Sequence, residues 1–316
     1  MHTRPSSRLA RDAGFTLIEV MITTLILLTV SGVVINGVLN MTQLNGTVTN
    51  RSAMFAGVRN ATALLQQEVG QAGRISLPGP VTVDANAAMG DTTLTVSSAE
   101  DMFVGEYLVI GTGGTEETIA ISAINGNDIT FAEAFEFNHD KAEPISVQGA
   151  FAAGVVPQHK PDLVTVEPDG SGDTVLKIFG DINGSGKMVY VEYTCDLNAH
   201  VLYRNQMDFD AGAKVAPGVE EILVENVQPN PNNEPCFTYQ EEKILNNVFV
   251  IGVAITLTVQ SEEKDPVTKK YQKESKALLN VSPRNVFNAW QLYSLLVNNR
   301  VQPTPDATSK LFPALQ

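Results

Sequence analysis

Three groups of residues have side chains that could bind a metal, form a disulfide or place a charge in an apolar helix. The first group is the run of residues 180–186. In this run Asp181 and Asn183 precede Gly184. Carboxylate and amide oxygens in alternation, followed by glycine, are typical of the start of a calcium-binding loop. The bidentate Glu that an EF-hand requires further along the loop is absent, and Asp-x-Asn-Gly also forms ordinary hairpin turns. We therefore favour a turn, with calcium as the alternative; no other cofactor or metal is predicted.

The second group consists of the two cysteines of the chain, Cys195 and Cys236. If the body of the protein is exported, an oxidising compartment favours a disulfide between them. Two unrelated buried thiols are the alternative. With two Cys and four His in all, the chain has neither the CxxC nor the HExxH spacing of a zinc site.

The third group is centred on Glu19, the one ionisable residue in the apolar run of residues 15–39. A helix of 25 residues is long enough to span a bilayer core of about 30 Å. A carboxylate at membrane depth costs about 2.5–3.5 kcal/mol, so Glu19 either has a function or lies shallowly and reaches the headgroups. The preceding residues 1–14 are polar and basic, and cleavage between Gly14 and Phe15 would leave the apolar helix on the mature chain.

Charge and motif content exclude several classes of function. The net charge is −14, and the basic run Arg4, Arg8 and Arg11 lies at the extreme N-terminus. Binding to nucleic acid needs clustered cations, so it is not predicted. The sequence contains no P-loop, GxSxG or HExxH motif, and we therefore predict no enzymatic activity.

The segment from Gly14 to Val20, GFTLIEV, resembles the prepilin-peptidase site of type IV pilins and type II secretion pseudopilins. The resemblance implies that prepilin peptidase removes the leader after Gly14 and that Phe15 becomes N-methylated. It also implies that Glu19, at mature position five, is needed for filament assembly. The matching positions, with the basic leader and the apolar run, cover about the first tenth of the chain.

The apolar helix is predicted to continue well beyond the membrane, because no proline occurs between Phe15 and Leu77. Gly73 and Pro78 mark its end. Apolar residues recur on one helical face, and we expect this stripe to pack on the protein's own sheet; it comprises Leu44, Val48, Phe55, Val58, Leu65 and Val69.

The remainder of the chain has the pattern of short strands separated by turns. We predict an α+β fold in which a long N-terminal hydrophobic helix packs on an antiparallel β-sheet domain with an inserted small β module. The predicted segments are a leader (1–14), the helix (15–77), the inserted module (78–149), a pilin-like sheet domain (150–285) and a tail with a short helix (286–316). Residues 149–161 are predicted to be a linker, and poor order is expected after Pro303. The predicted strands are 92–96, 106–110, 118–121, 128–131, 163–166, 175–179, 188–194, 201–204, 222–227, 248–259 and 276–281.

Shorter matches narrow the resemblance to PilW-type minor pilins and J-type pseudopilins. Residues 61–74 are similar to the end of the helix in those proteins, and residues 189–193 with Leu202-Tyr203-Arg204 are similar to their "Y-x-Y … LYR" hairpin. Residues 282–285 are similar to the "PRN" close of the domain. The insert and the tail after residue 285 depart from the pattern.

The sequence therefore predicts a structural minor pilin or pseudopilin of a type IV pilus-like filament. The expected partners are prepilin peptidase, other minor and major pilins or pseudopilins, and the inner membrane before assembly. The exported domain would then reach a cell-surface or periplasmic filament. The alternatives are an adhesin-like binding module anchored by a pilin helix and a membrane-anchored exported enzyme; the absence of catalytic motifs argues against the enzyme.

Overall fold

A computed structural model describes residues 15–158 and 169–313. The first element of the described part is helix α1 (Leu17–Gln71), and two short helices, α2 (Arg284–Ser294) and α3 (Asp306–Ser309), follow the last long strand. The strands are β1 (Val81–Thr82), β2 (Thr93–Thr95), β3 (Tyr107–Ile110), β4 (Glu117–Asn125), β5 (Asp128–Phe131), β6 (Pro144–Val147), β7 (Ala150–Phe151), β8 (Val175–Gly180), β9 (Val189–Asp196), β10 (Val201–Asp208), β11 (Ile222–Glu225), β12 (Val227–Gln228), β13 (Phe237–Ile244), β14 (Asn247–Gln260), β15 (Lys273–Val281) and β16 (Val301–Gln302). This arrangement confirms the predicted fold class.

The helix α1 has two halves with different surroundings. Val58, Leu65 and Val69 are buried against the sheets, whereas Leu44 and Val48 are exposed. The expectation that the whole apolar stripe packs on the protein's own sheet is therefore wrong for its first part. The strands end alongside the second half of the helix, so the first half projects beyond the β-domain.

Two four-stranded antiparallel sheets enclose the second half of α1. One has the order β11-β10-β9-β8, and the other contains β12-β14-β13 with β15 on the free side of β14. The predicted strand 222–227 is divided between them, because Asn226 adopts a positive φ of 59° and turns the chain from one sheet to the other. Residues 248–259 form β14, a largely buried strand, as predicted. The predicted strand at 163–166 lies outside the described residues.

The strands β1–β6 form a separate six-stranded antiparallel sheet in the order β1-β6-β3-β4-β5-β2. Its edge strands also meet: Ser97 N donates to Thr82 O at 2.9 Å, and Asp84 N donates to Thr95 O at 2.8 Å. The sheet therefore closes on itself around a core of its own that includes Leu94, Leu108 and Ile129. Closure removes the unpaired edges that make an isolated sheet prone to aggregation.

The C-terminal segment holds this six-stranded sheet to the rest of the protein. The side chain of Gln302 is fully buried; it accepts a hydrogen bond from Tyr107 N at 2.9 Å and donates to Tyr107 O at 3.0 Å. Strand β16 pairs in parallel with β7. Leu311 is also buried, in a cluster that includes Phe103 and Phe151.

Two expectations about the connecting segments are wrong. The predicted linker at 149–161 contains strand β7 and the buried residues Val155 and Val156 over its described part. Residues after Pro303 form α3, and Thr308 donates a hydrogen bond to Phe209 O at 2.8 Å. Both segments were classified from their turn-forming and polar residues, whereas long-range pairing and the burial of a few apolar side chains order them.

Candidate functional site

The N-terminal end of α1 is the first part of the candidate site. Gly14, on one side of the predicted cleavage site, lies outside the described residues, whereas Phe15 is described and 81% exposed. Thr16 is the N-cap residue of the helix, and its side-chain oxygen accepts a hydrogen bond from Glu19 N at 3.3 Å. Such a cap satisfies one of the backbone N–H groups that the first turn of a helix leaves unpaired.

Glu19 lies in the first turn of α1, where the positive end of the helix dipole favours a carboxylate. Its side chain is exposed, so it is available to a group outside this chain. The sequence Thr16-x-x-Glu19 before an apolar run is also the signature of a capping box. The role of Thr16 was missed in the sequence analysis, although that signature was present.

The threonines in the apolar run are satisfied within the helix. Thr23, Thr24 and Thr29 each donate a hydroxyl hydrogen bond to the carbonyl four residues earlier, at 2.9, 2.9 and 3.1 Å. These hydroxyl groups therefore need no water or partner protein for their hydrogen bonds. By length and apolar composition α1 is able to cross a membrane, and its apolar side chains there are exposed.

The second part of the site is the junction between α1 and the β-domain. Glu68, near the end of α1, is buried and accepts hydrogen bonds from Arg204 Nε at 3.1 Å, Arg204 Nη2 at 2.6 Å and the Tyr193 hydroxyl at 2.5 Å. Burial, and then the adjacent Glu68 carboxylate, raise the pKa of Tyr193, so the phenol remains a donor. The residues of the helix-end and "Y-x-Y … LYR" matches therefore meet in one buried ion pair.

The disulfide joins the two sheets beside this junction. Cys195 in β9 and Cys236, just before β13, are bonded to each other, and both are buried. The bond closes a loop with a sequence separation of 41. In the chain-entropy model, whose mechanism is disputed, a loop of this size stabilises the fold by about 3–4 kcal/mol.

The loop with Asp181 and Asn183 lies at the end of α1. Asp181 is fully buried; its Oδ2 accepts a hydrogen bond from Gly186 N at 3.3 Å and lies 3.6 Å from Arg74 Nε. Asn183 Oδ1 accepts a hydrogen bond from Ser185 N at 3.0 Å. These oxygens close the turn and hold the chain that leaves the helix, as the favoured turn interpretation expects. Calcium binding stays a prediction.

Among the described residues, no group of three or more His, Cys, Asp or Glu side chains is arranged to hold a metal ion. Glu68 and Tyr193 are buried between the helix and the sheets, and Arg204 is partly buried beside them. The chemistry that the site offers is therefore an exposed carboxylate on an apolar helix, together with the buried ion pair that orients that helix.

Comparison with known families identifies the N-terminal part. Residues 9–35 match the prokaryotic N-terminal methylation motif, the signal of type IV pilin-like proteins that prepilin peptidase processes. No curated protein and no solved structure matches the chain. The protein thus combines this motif with a long apolar helix and an antiparallel β-domain, a layout consistent with a pilin-like fold.

Replacing Arg204 with Ala tests the junction. The change leaves Glu68 buried without its cation, and we expect the free energy of unfolding to fall by about 3–5 kcal/mol. Arg204→Lys should cost less than Arg204→Ala, because the ammonium keeps the charge but cannot form the paired guanidinium contact. Urea unfolding of the mature protein in detergent measures both variants.

Arg59→Ala is the matched control, because Arg59 lies on the same helix with its side chain exposed. It should change the free energy of unfolding by no more than about 0.5 kcal/mol. Equal losses for Arg204→Ala and Arg59→Ala would show that the junction contributes no specific stability.

Proposed function

We propose that the protein is a minor pilin or pseudopilin, most similar to the PilW-type and J-type subunits, and that it assembles into a type IV pilus-like filament. Prepilin peptidase would cleave between Gly14 and Phe15, and Phe15 would then be N-methylated. The protein would act as a structural subunit, with other pilins or pseudopilins as partners, and not as an enzyme. The observation that carries the proposal is the methylation motif at the start of a helix whose first half is exposed among the described residues.

The exposed apolar half of α1 supports this role. Leu17, Leu28 and Val33 are more than 70% exposed, and the same holds to a lesser degree along the run to Val48. Such a surface is stable either in lipid or against other apolar helices. A subunit that moves from the membrane into a filament core needs a helix that is stable in both environments.

Glu19 would supply specificity to that assembly. After cleavage, Phe15 has a free α-amino group, which is cationic at neutral pH. In an apolar environment each charge is costly alone, and a nearby opposite charge offsets part of the cost. The resemblance to pilins implies that adjacent filament helices are staggered along their axes, so we propose that Glu19 of one subunit pairs with the N-terminus of a neighbour.

Cleavage of the leader is testable by substitution at Gly14. A bulky residue in place of Gly14, as in Gly14→Leu, should block cleavage, because the peptidase site needs a small residue there. Gly14→Ala should be processed in part. Mass spectrometry of the purified protein is the measurement, and the wild-type chain should begin at Phe15 with a methylated amino group. A wild-type chain that begins at Met1 or beyond Leu39 would contradict the pilin assignment.

The role of Glu19 in assembly is testable by substitution of its carboxylate. Glu19→Gln should leave membrane insertion and cleavage intact but reduce incorporation into filaments, because the neutral amide cannot pair with a terminal cation. Glu19→Leu should insert at least as well and still assemble poorly. Fractionation of sheared filaments against membranes measures the incorporation of each variant.

Thr16→Val is the matched control for Glu19. It removes the oxygen that caps the Glu19 N–H while it keeps the Glu19 carboxylate and the side-chain size. If the carboxylate acts in assembly, Thr16→Val should be incorporated far better than Glu19→Gln. Normal incorporation of both Glu19 variants would assign that carboxylate a shallow, solvated position with no assembly role.

A second role, as an adhesin-like module, is favoured by the placement of the six-stranded sheet. The sheet follows the end of α1, about 80 Å along the helix from its N-terminus, and has a core of its own. It would therefore face outward in a filament. Its first and last strands are neighbours, with Val81 paired to Ile145, so one short linker replaces the module.

Deletion of residues 81–147, with a short Gly-Ser linker in their place, tests this second role. We expect cleavage and filament incorporation to persist, because the α1 junction lies outside the deleted region, while attachment to surfaces is lost. Gln302→Ala is the companion variant, since it loosens the module without removing its surface. Attachment that survives the deletion would eliminate the adhesin role.

A further inference from the structure

The hairpin loop between β14 and β15 lies against α1 just beyond the apolar run. A Cβ atom at position 46 of the helix would be 3.1 Å from Cγ of Pro266, so Gly46 allows the loop to pack closely on the helix. Strand β15 continues from this contact away from the apolar run, since Asn280 and Val281 lie beside Gln67 and Gln71 of the helix. The loop is therefore the end of the β-domain that is nearest to the apolar run.

The loop has a defined conformation. Asp265 is buried, and its Oδ1 accepts hydrogen bonds from Thr268 N at 2.6 Å and Val267 N at 2.9 Å. Its Oδ2 accepts a hydrogen bond from Gln272 Nε2 at 2.7 Å. The Thr268 N–H, and then the Thr47 hydroxyl of the helix, lower the pKa of the Asp265 carboxyl, which remains an anion inside its turn.

The tip of the loop is basic, in contrast to the acidic chain. The loop comprises residues 261–272. At its tip, residues 264–271, Lys264, Lys269 and Lys270 are exposed and Asp265 is enclosed by the turn. Glu262 and Glu263 are exposed next to β14, so the positive charge is confined to the tip. Tyr271 is 44% exposed, and Lys264 Nζ lies 5.6 Å from the centre of its ring. Lysine beside tyrosine is the composition found where proteins meet lipid headgroups.

The apolar run locates the membrane relative to this tip. Gly46 is seven residues beyond Leu39, which is about 10 Å along a helix. The headgroup layer occupies about 5–8 Å on each side of the hydrocarbon core. The ammonium groups of long lysine side chains on the loop thus come within a Debye length, about 8–10 Å, of the headgroup phosphates.

We propose that the β14–β15 loop docks on anionic phospholipid headgroups of the membrane that anchors α1. The loop would fix the tilt of the β-domain over the bilayer before assembly, with the lysines as the contacting groups. The proposal rests on the proposed membrane-anchored precursor. Leaving the membrane then requires these contacts to break, which makes filament entry sensitive to the lipid charge.

The test uses the full mature chain with a spin label at Val267→Cys, a position in the loop that is 56% exposed. The native cysteines are bonded to each other and do not react. The protein is reconstituted in vesicles of phosphatidylcholine with or without phosphatidylglycerol, each with a trace of lipid whose headgroup chelates nickel. We expect the nickel to relax the label strongly in anionic vesicles, and weakly without phosphatidylglycerol or at high salt.

Asn246→Cys is the control site, because Asn246 is exposed at the opposite end of β14, about 45 Å away along the strand. Its label should not be relaxed in any vesicle. Changing Lys264, Lys269 and Lys270 together to Glu should lower the relaxation at position 267 to the level at position 246. The same three changes to Arg should preserve it, because they keep the charge.

Equal relaxation at positions 267 and 246 in anionic vesicles would overturn the proposal. Equal losses with Glu and Arg would overturn the role of charge. Flotation of the vesicles shows whether the chain is anchored in the bilayer, and so distinguishes a failed loop contact from a failed anchor. A chain that does not float with the vesicles contradicts the membrane-anchored precursor itself, whereas a chain that floats without relaxation contradicts the loop contact alone.

Discussion

The buried ion pair between Glu68 and Arg204 is the interaction on which the rest of the structure depends. A single carboxylate on α1 accepts hydrogen bonds from β10 through Arg204 and from β9 through Tyr193. Apolar packing along a helix tolerates rotation and sliding, whereas an ion pair with two donors on adjacent strands allows one register. A buried charge that loses its partner costs several kcal/mol, so other registers of the helix on the sheets are strongly disfavoured. The disulfide adds to this specificity, because Cys195 lies two residues beyond Tyr193 on the same strand.

A fixed register at Glu68 determines what happens at the other end of the helix. The hairpin of β14 and β15 returns along the helix, and Pro266 packs on it at Gly46. The β-domain is thereby held at a set height above the apolar run. The exposed half of α1, with Glu19 in its first turn, then projects from the domain as one unit. The junction near the end of the helix therefore controls how the apolar segment and the Glu19 carboxylate are presented to lipid or to another subunit.

The sequence was sufficient for features that depend on local patterns. The apolar run, the methylation motif and strands such as β5 and β14 are visible because periodicity and β-branched residues act over a few positions. The sequence was insufficient where distant residues decide the outcome. Strand β13 was missed because its charged run Glu241-Glu242-Lys243 obscures the alternation, although pairing with β14 orders it. For the junction, the matching motifs contained Glu68, Tyr193 and Arg204. Glu68 is more than 120 residues away from the other two in sequence, and nothing in the spacing of the motifs revealed that the three side chains are in contact.

The insert and the tail, the two segments that depart from the pilin pattern, stabilise each other. The six-stranded sheet closes its own edges, so it is stable as a unit, but its connections to the body are two adjacent chain segments that resist rotation poorly. Gln302 supplies the missing restraint, because its amide pairs with both backbone groups of Tyr107 and with the carbonyl of Gln148. The tail then continues to Leu311, whose burial beside Phe103 and Phe151 joins residues of the insert, the body and the tail in one cluster. Without the tail, the insert would keep the contact of Phe103 with Phe151 but lose the Gln302 hydrogen bonds and the packing of Leu311, and a tail without the insert would lose partners that order it.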